Sequence, residues 1–317
     1  MISLGIDAGT KSFKTCLMKE EKIELRSQSP EKAYEYLMAV RRDYPDCPIV
    51  LPSGFGIPLK EACSLTDRDI FEMTLKKEDT SIVGLGKFLQ KVRHLRKAYC
   101  IPSVKLLPTV PRHRKINRID MGTTDKLCSI AFILERLMQT ETPSRIDFMN
   151  CEVGWGFASL IVVRKGKIVD GVGGSSLLGP LCRGAIDAEL AYLHAFSKKE
   201  IYGGGFLPVE ETFHCGSEMF REEFEKKIYG LREYHGIDRL LLTGRRKRAV
   251  KKIFPRARIL LSENEGFEAA TGAAIIASGL CGGAHKRIVD LLAIRKASGS
   301  VTDFICGIEL GRKQTYL

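Results

Sequence analysis

The sequence lacks any hydrophobic run that could cross a membrane. A spanning helix needs about 20 consecutive apolar residues, and no segment approaches that length. Near the N-terminus, Asp7 and the polar residues after Gly9 interrupt a short apolar stretch, so no signal peptide is predicted. With 44% hydrophobic and 28% charged residues, the composition is typical of a folded globular chain rather than a disordered one. We therefore expect a cytoplasmic protein.

Paired metal-binding motifs are missing as well. The ten cysteines contain no Cys-x-x-Cys pair, and the six histidines contain no His-x-x-x-His spacing. Several cysteines lie in apolar segments, where a free thiol behaves as a small hydrophobic group. Reduced, buried cysteines are therefore favoured over disulfides. A metal site built from Cys215 beside His214 stays open as an alternative.

Acidic residues are in deficit relative to basic ones. The chain has 38 Asp and Glu against 50 Lys and Arg, a formal net charge of +12. Such an excess attracts anions, although a solvated basic surface is the simpler alternative. The densest basic run, residues 245–248, has no interleaved aromatic residues that would stack on bases. Nucleic-acid binding is therefore disfavoured, and nucleotides or carboxylates are the preferred anions.

The first 42 residues predict three strands followed by a helix. Ile2 to Ile6 is apolar, a glycine turn follows, and Phe13 to Met18 is again mostly apolar. A charged turn leads into a short third strand, residues 23–26. Pro30 is suited to the first turn of the helix that we predict to residue 42.

The same order of elements returns near the middle of the chain. At an offset of 145 residues the two segments align without a gap, which pairs Asp7 with Glu152 and Gly9 with Gly154. The basic hairpin turns pair in the same way, Lys19 with Arg164. We infer two lobes of related topology, residues 1–145 and 146–317, with a ligand-binding cleft between them. Chance similarity between two hairpins is the alternative.

The rest of the chain alternates helices with short strands. We predict helices over residues 185–196, 218–234, 246–253 and 266–278, and strands over residues 240–243 and 257–261. Such alternation indicates an α/β protein with mainly parallel sheets that are covered by helices. The last of these helices has a face of small residues, which would let it approach another element closely.

The first glycine turn has the chemistry of a phosphate site. Gly5 and Gly9 would permit positive φ and close approach of a phosphate to the backbone. Amides and hydroxyls of the turn can donate to phosphate oxygens, Lys11 can neutralise charge, and Asp7 can hold Mg²⁺. The alternative is an ordinary hairpin that Asp7 and Thr10 merely stabilise.

Five segments resemble, in order, the motifs of the superfamily of sugar kinases, acetate kinase, heat-shock ATPases and actin. Residues 5–12 (Gly-Ile-Asp-Ala-Gly-Thr-Lys-Ser) resemble its first phosphate motif, and residues 152–156 (Glu-Val-Gly-Trp-Gly) its second. Residues 240–244 (Leu-Leu-Leu-Thr-Gly) resemble the adenosine motif. Residues 121–127 and 265–274 resemble the two connecting helices. The resemblance implies a two-lobed ribonuclease-H-like fold, that of actin-like ATPases, with a duplicated β-β-β-α-β-α topology. Whether the last segment of the chain returns to the first lobe is open.

The same resemblance implies ATP and Mg²⁺ as cofactors and assigns residues to them. Asp7 and Glu152 would hold the metal, and both would act in catalysis together with Asp125. Thr123, Thr124 and Arg183 would contact the acceptor. The nucleotide would lie against Gly9, Thr10, Lys11, Ser12, Gly154, Gly156, Gly173, Gly174, Gly244, Arg245 and Gly266. Alternatives are a helix cap for Asp125, a plain tight connection for the second glycine-rich loop, and a surface position for Arg183.

More narrowly, the chain resembles an archaeal family of uncharacterised proteins that are labelled predicted butyrate kinases. That resemblance implies phosphoryl transfer from ATP to a small carboxylate such as a short-chain fatty acid. The chain departs from acyl kinases at the second phosphate turn, where they usually carry His-Leu-Gly-Gly-Gly and this chain carries Glu152. The alternative is a non-kinase ATPase or a nucleotide-gated binding protein on the same fold. A homodimer is compatible with the sequence, and no membrane partner is expected.

Overall fold

The computed structural model describes residues 1–9, 11–20, 22–76, 84–259 and 266–308. Thr10, which was predicted to bind phosphate, lies outside these ranges, as do residues 260–265, which precede the last long helix. Two sheets dominate this part of the chain, one on each side of the boundary at residues 145 and 146. The division into two domains at that boundary remains a prediction.

The first sheet has the strand order β3-β2-β1-β4-β6-β5. Strands β1 to β3 form an antiparallel meander, whereas β4 and β6 run parallel to β1. The sheet is therefore mixed, and the prediction of mainly parallel sheets is wrong, because each glycine hairpin contributes antiparallel strands. The strands are β1 Ile2–Ala8, β2 Phe13–Lys19, β3 Lys22–Gln28, β4 Ile49–Val50, β5 Lys60–Glu61 and β6 Ala98–Cys100.

The second sheet repeats this arrangement with the strand order β11-β10-β7-β8-β9. Strands β7 to β9 form the antiparallel meander, and β10 and β11 run parallel to β7. Strand β10 has the predicted bounds. The strands are β7 Phe148–Val153, β8 Ala158–Arg164, β9 Lys167–Val172, β10 Leu240–Thr243 and β11 Arg258–Ile259.

The two meanders also share their pairing register. Asp7 lies opposite Lys14 in the first hairpin, and Glu152 lies opposite Ser159 in the second, again at an offset of 145 residues. The register of the second meander shifts by one residue at a bulge between Val162 and Val163. Equal pairing on both sides of equal turns confirms the repeat that the sequence predicted, and it places Asp7 and Glu152 at equivalent positions.

Helices connect and cover the strands. The first begins at Pro30, where the Ser29 hydroxyl caps the amide of Lys32. The helix that was predicted over residues 185–196 is shorter, spanning Ala188–Leu193. The helices are α1 Pro30–Asp43, α2 Asp67–Thr74, α3 Leu85–Val92, α4 Arg112–Lys115, α5 Thr124–Leu137, α6 Ala188–Leu193, α7 Lys198–Ile201, α8 Phe206–Phe213, α9 Gly216–His235, α10 Lys247–Ile253, α11 Glu268–Leu280 and α12 Lys286–Leu291.

Helices α5 and α11 cross each other between the two sheets. A Cβ atom on Gly272 of α11 would lie 1.8 Å from the carbonyl oxygen of Cys128 in α5. On its other side α11 presses against β1, where a Cβ atom on Gly5 would lie 2.1 Å from the carbonyl oxygen of Ala270. The predicted close approach of the small-residue helix is therefore confirmed. The prediction of positive φ at Gly5 and Gly9 is wrong. The lack of a side chain at Gly5 instead allows α11 to pack closely on β1.

All ten cysteines lie in the described ranges, and all are free thiols. Burial raises the pKa of Cys16 to about 11 and that of Cys100 to about 12, which keeps both protonated. Among the described residues, no group of three His, Cys, Asp or Glu side chains could hold a metal ion, so Cys215 and His214 do not form such a site. No helix in the described ranges is long and apolar enough to span a membrane.

Candidate functional site

The three predicted acidic residues come together where the strands meet the crossing helices. Asp7 lies near the end of β1, Asp125 in the first turn of α5, and Glu152 near the end of β7. The charges of Asp125 and Glu152 both raise the pKa of Asp7, which shows that the three carboxylates share one electrostatic environment. We call these three residues, together with Lys126, the carboxylate cluster.

Lys126 lies at the centre of the carboxylate cluster. Its ammonium nitrogen is 2.7 Å from Asp125 Oδ2 and 2.7 Å from Glu152 Oε1. Burial opposes its charge, but the two carboxylates outweigh burial and raise the pKa of Lys126. Burial would raise the pKa of Asp125, but Lys126 and the Thr123 hydroxyl, which donates to Oδ1, hold it below its usual value. Lys126 and Asp125 are therefore a charged pair.

Asp7 is the member of the carboxylate cluster without such a partner. Among the described residues its carboxylate makes no hydrogen bond or ion pair. Burial first, and Asp125 second, raise its pKa to about 7, against the lowering effects of Lys14 and Lys126. Because ionised Asp7 is destabilised in these surroundings, any cation that binds beside it stabilises the ionised form.

This shift predicts a pH-dependent stability. The pKa of Asp7 is 3.8 without the protein environment and about 7 in the folded protein, so ionisation of Asp7 opposes folding. The cost is absent below about pH 4 and fully present above about pH 7. We expect Asp7→Asn to raise the free energy of unfolding at pH 8 by on the order of 1 to 3 kcal/mol, because residue Asp7 keeps part of its surface in solvent, which reduces the full effect.

Urea unfolding of the wild type and Asp7→Asn across this pH range measures the effect. The difference between the two proteins should shrink as the pH falls and vanish near pH 4. An equal difference at all pH values would contradict the elevated pKa. Asp46→Asn is the control, because Asp46 is 92% exposed in its surface pair with Lys97.

Glu152 is joined to the strand of the adenosine motif, β10. The Asn150 amide donates to the Thr243 hydroxyl at 3.0 Å, and that hydroxyl lies 3.4 Å from Glu152 Oε2. Gly244 follows with φ of +81°, and a Cβ atom there would lie 3.0 Å from Glu152 Cγ. The motif at residues 240–244 therefore packs directly on the second phosphate turn, and Gly244 is required both for its φ and for this contact.

Trp155, the single tryptophan, belongs to the second phosphate turn and contacts both the first turn and the residue after the adenosine motif. The Lys11 ammonium lies 4.8 Å from the centre of its ring, and the Arg245 guanidinium lies 5.1 Å from it. The side chain of Trp155 remains 40% exposed. Lys11 lies in the turn between β1 and β2 of the first sheet, and Arg245 follows β10 of the second, so this contact joins the two halves at an accessible edge.

The two phosphate turns are tight and differ in their surroundings. A Cβ atom on Gly9 would lie 3.0 Å from the Ser12 carbonyl oxygen, and the Ser12 hydroxyl is hydrogen-bonded to Ser27 at 2.8 Å. In the second turn Gly154 donates its amide to the Phe157 carbonyl at 2.8 Å. The Gly156 carbonyl accepts from the amides of residues 181 and 182. The second turn is thus held by the following loop.

The glycine-rich loop after β9 surrounds another buried acid, Asp120. A Cβ atom on Gly173 would lie 1.8 Å from Asp120 Oδ1, and one on Gly174 would lie 2.8 Å from the Phe157 ring. The Ser175 amide and hydroxyl donate to Asp120 Oδ2 at 3.0 and 3.2 Å. Burial raises the pKa of Asp120. The described contacts explain these glycines by packing, and their predicted role in nucleotide binding remains a prediction.

The predicted acceptor residues are not all gathered at the cluster. Thr123 contacts Asp125, whereas the Thr124 hydroxyl accepts a hydrogen bond from the Ser53 amide at 3.4 Å. The Arg183 guanidinium lies 5.6 Å from the centre of the Phe196 ring and donates to the Glu200 carbonyl. Its contact with the acceptor remains a prediction.

Sequence reasoning missed two lysines, Lys14 and Lys126. Lys14 lies opposite Asp7 in the β1–β2 hairpin and donates to the carbonyl of Gly266, whose φ is +81°. The hairpin register would have revealed Lys14, because cross-strand partners are neighbours on one face of a sheet. The only sequence signal for Lys126 is its position next to Asp125.

The site fits a magnesium ion that is bound mainly by its nucleotide. Mg²⁺ in phosphate-transfer sites takes one or two protein carboxylates and fills its remaining positions with phosphate oxygens and water. Asp7, which has a raised pKa and no hydrogen-bonded or ion-paired partner among the described residues, is suited to that role. Glu152 is the second candidate, but both of its oxygens already have partners.

Comparison with protein families assigns the chain. The family model described as "Protein of unknown function (DUF1464)" matches residues 5–307, nearly the whole sequence. The chain belongs to the DUF1464 family. No curated protein matches this DUF1464 chain. The narrower resemblance to predicted butyrate kinases therefore remains a prediction.

Solved structures similar to this DUF1464 protein include two acyl kinases. Acetate kinase from Entamoeba histolytica has a TM-score of 0.57 and 14% identity, over 80% of this chain and 85% of that one. A propionate kinase from Francisella tularensis has a TM-score of 0.53 and 12% identity, over 80% of this chain and 86% of that one. Likeness at such identities shows the fold. The predicted two-lobed, ribonuclease-H-like fold of actin-like ATPases is confirmed.

Proposed function

We propose that this DUF1464 protein is an ATP-dependent phosphotransferase that acts on a small acceptor. The observation that supports it is the gathering of Asp7, Glu152 and Asp125 from two equivalent hairpins and a crossing helix. Phosphoryl transfer needs little covalent chemistry from a protein, and depends on positioning and on charge stabilisation. The turn amides and the carboxylate cluster would supply both.

Each part of the site would then have a task. Amides of the turns after β1 and β7 would donate to phosphate oxygens, and Lys11 would balance their charge. Asp7 would hold Mg²⁺, which would supply positive charge against the phosphate oxygens. Asp125, fixed by its partners, would orient the attacking oxygen of the acceptor. Arg245 and Trp155 would border the nucleotide at the open edge.

For the acceptor we propose a short-chain carboxylate such as butyrate. This proposal is supported by the sequence resemblance to acyl kinases and by the fold that the chain shares with an acetate kinase and a propionate kinase. The acid at Glu152, where acyl kinases carry histidine, is the feature that tests it. The Lys126 ammonium, 2.7 Å from Glu152, neutralises that acid.

A product assay with a binding arm tests the function. Protein and Mg·ATP are incubated with short-chain acids, sugars or water alone, and ADP and phosphorylated products are measured. We expect ADP release to be stimulated by an acid. Because Trp155 is the single tryptophan and is partly exposed, its fluorescence should change when Mg·ATP binds. Binding with acceptor-independent ADP release would favour the non-kinase ATPase, and absence of binding would overturn the proposal.

A further inference from the structure

The three acids of the carboxylate cluster differ in the number of hydrogen-bonding partners that their oxygens have. Asp125 has both oxygens engaged, Oδ1 by the Thr123 hydroxyl and Oδ2 by Lys126. Glu152 has Oε1 engaged by Lys126 at 2.7 Å and Oε2 approached by the Thr243 hydroxyl at 3.4 Å. Asp7 has no such partner among the described residues.

The Lys126 side chain is well placed to enforce this division. It is only 12% exposed, and Glu152 is only 10% exposed, so little water screens the pair. The ammonium joins α5 of the crossing to β7 of the second sheet. Two of its three N–H donors are directed at carboxylates, one from each element.

We propose that Lys126 is a positioning residue that anchors Glu152 and Asp125, which leaves Asp7 as the metal-holding carboxylate of the three. Glu152 is then the anchor of a lysine and not the second metal ligand that its equivalence to Asp7 suggests. The inference rests on the proposed function, because the metal concerned is that of the nucleotide. In a cluster with three acids, a fixed lysine also limits repulsion among them.

Metal binding without turnover separates the two roles. Mn²⁺ binding to the protein in the presence of ADP is measured by electron paramagnetic resonance for Asp7→Asn and Glu152→Gln. We expect Asp7→Asn to weaken Mn²⁺ binding about tenfold or more, and Glu152→Gln to change it by less than about threefold. Equal losses in the two variants would overturn the proposal.

Thermal unfolding tests the anchor independently of nucleotide. Removing the Lys126 ammonium leaves buried carboxylates without a cationic partner. Lys126→Met should therefore lower Tm by about 5 to 10 °C. The double variant Lys126→Met/Glu152→Gln should regain about half of that loss in Tm, because the uncompensated charge of Glu152 has been removed. Lys60→Met is the matched control, since it removes a similar 2.6 Å pair with Asp69 outside the cluster. Additive effects at Lys126 and Glu152 would contradict the anchor.

Kinetics distinguish positioning from simple stability. Lys126→Met should lower kcat about 100-fold with KM for ATP changed by less than about threefold, and Lys126→Arg should recover at least about tenfold in kcat. A rise in KM with kcat unchanged, or no rescue by arginine, would overturn the positioning role. If the wild type binds no ADP and shows no turnover, the proposed function fails, while the thermal comparison still decides whether Lys126 anchors Glu152.

Discussion

Asp7→Asn should abolish most of the phosphotransferase activity of the protein. The substitution keeps the shape of the side chain but removes the one cluster carboxylate that lacks a hydrogen-bonded partner among the described residues. Loss of the charge that would hold Mg²⁺ against the nucleotide should lower kcat by about 10²- to 10³-fold. Measurement of ADP formation at saturating Mg·ATP, with the best acceptor from the panel, gives this number.

The stability of Asp7→Asn shows whether lost activity could come from unfolding. Above about pH 7 we expect Asp7→Asn to be more stable than the wild type, because ionised Asp7 opposes folding. Lost activity in a more stable protein cannot come from unfolding. Asp46→Asn, which changes an exposed acid, should leave kcat unchanged. Wild-type activity in Asp7→Asn would remove Asp7 from the site.

Gly272→Ala should strongly destabilise the protein, although it adds only one methyl group. The added Cβ atom would lie 1.8 Å from the Cys128 carbonyl oxygen of α5, a backbone atom that cannot rotate away. Helix α11 cannot retreat either, because β1 contacts its other side at Gly5. We expect a loss of about 3 kcal/mol in the free energy of unfolding, and a fall in kcat of about tenfold as Asp125 moves away from Asp7.

Gly230→Ala is the matched control for this prediction. Gly230 also lies inside a long helix, α9, but a Cβ atom there would meet no atom within 4 Å. Alanine favours helix over glycine, so this variant should be neutral or more stable by up to about 1 kcal/mol. Urea unfolding of both variants measures the contrast. Equal effects at the two positions would show that the helices can separate without cost.

Much of the fold could be predicted from local sequence. The glycine turn, the flanking apolar strands and the helix from Pro30 follow from short-range patterns, and the structure has all of them. The offset of 145 residues predicted the second meander, and its register agrees at the turn. Such features are predictable because hairpin turns and helix starts depend on neighbours in the chain.

Other features depend on contacts between distant residues and were missed or misjudged. The parallel strands β4 and β6 are two and three residues long, too short for a pattern, and the proportion of antiparallel pairing was underestimated. Gly5 was assigned to phosphate binding, whereas it makes room for α11, about 265 residues later in the chain. A contact between distant residues leaves no local signal in the sequence. A glycine that makes room for a distant helix looks the same as a glycine that serves a turn.

The division of labour in the site shows the same limit. The repeat in the sequence makes Asp7 and Glu152 equivalent, because each precedes a glycine turn. Tertiary contacts distinguish the two acids, since Lys126 of α5 lies 2.7 Å from Glu152, whereas Asp7 has no such partner among the described residues. Charge balance in a cleft depends on which distant side chains reach each acid, and a repeat in the sequence cannot specify that.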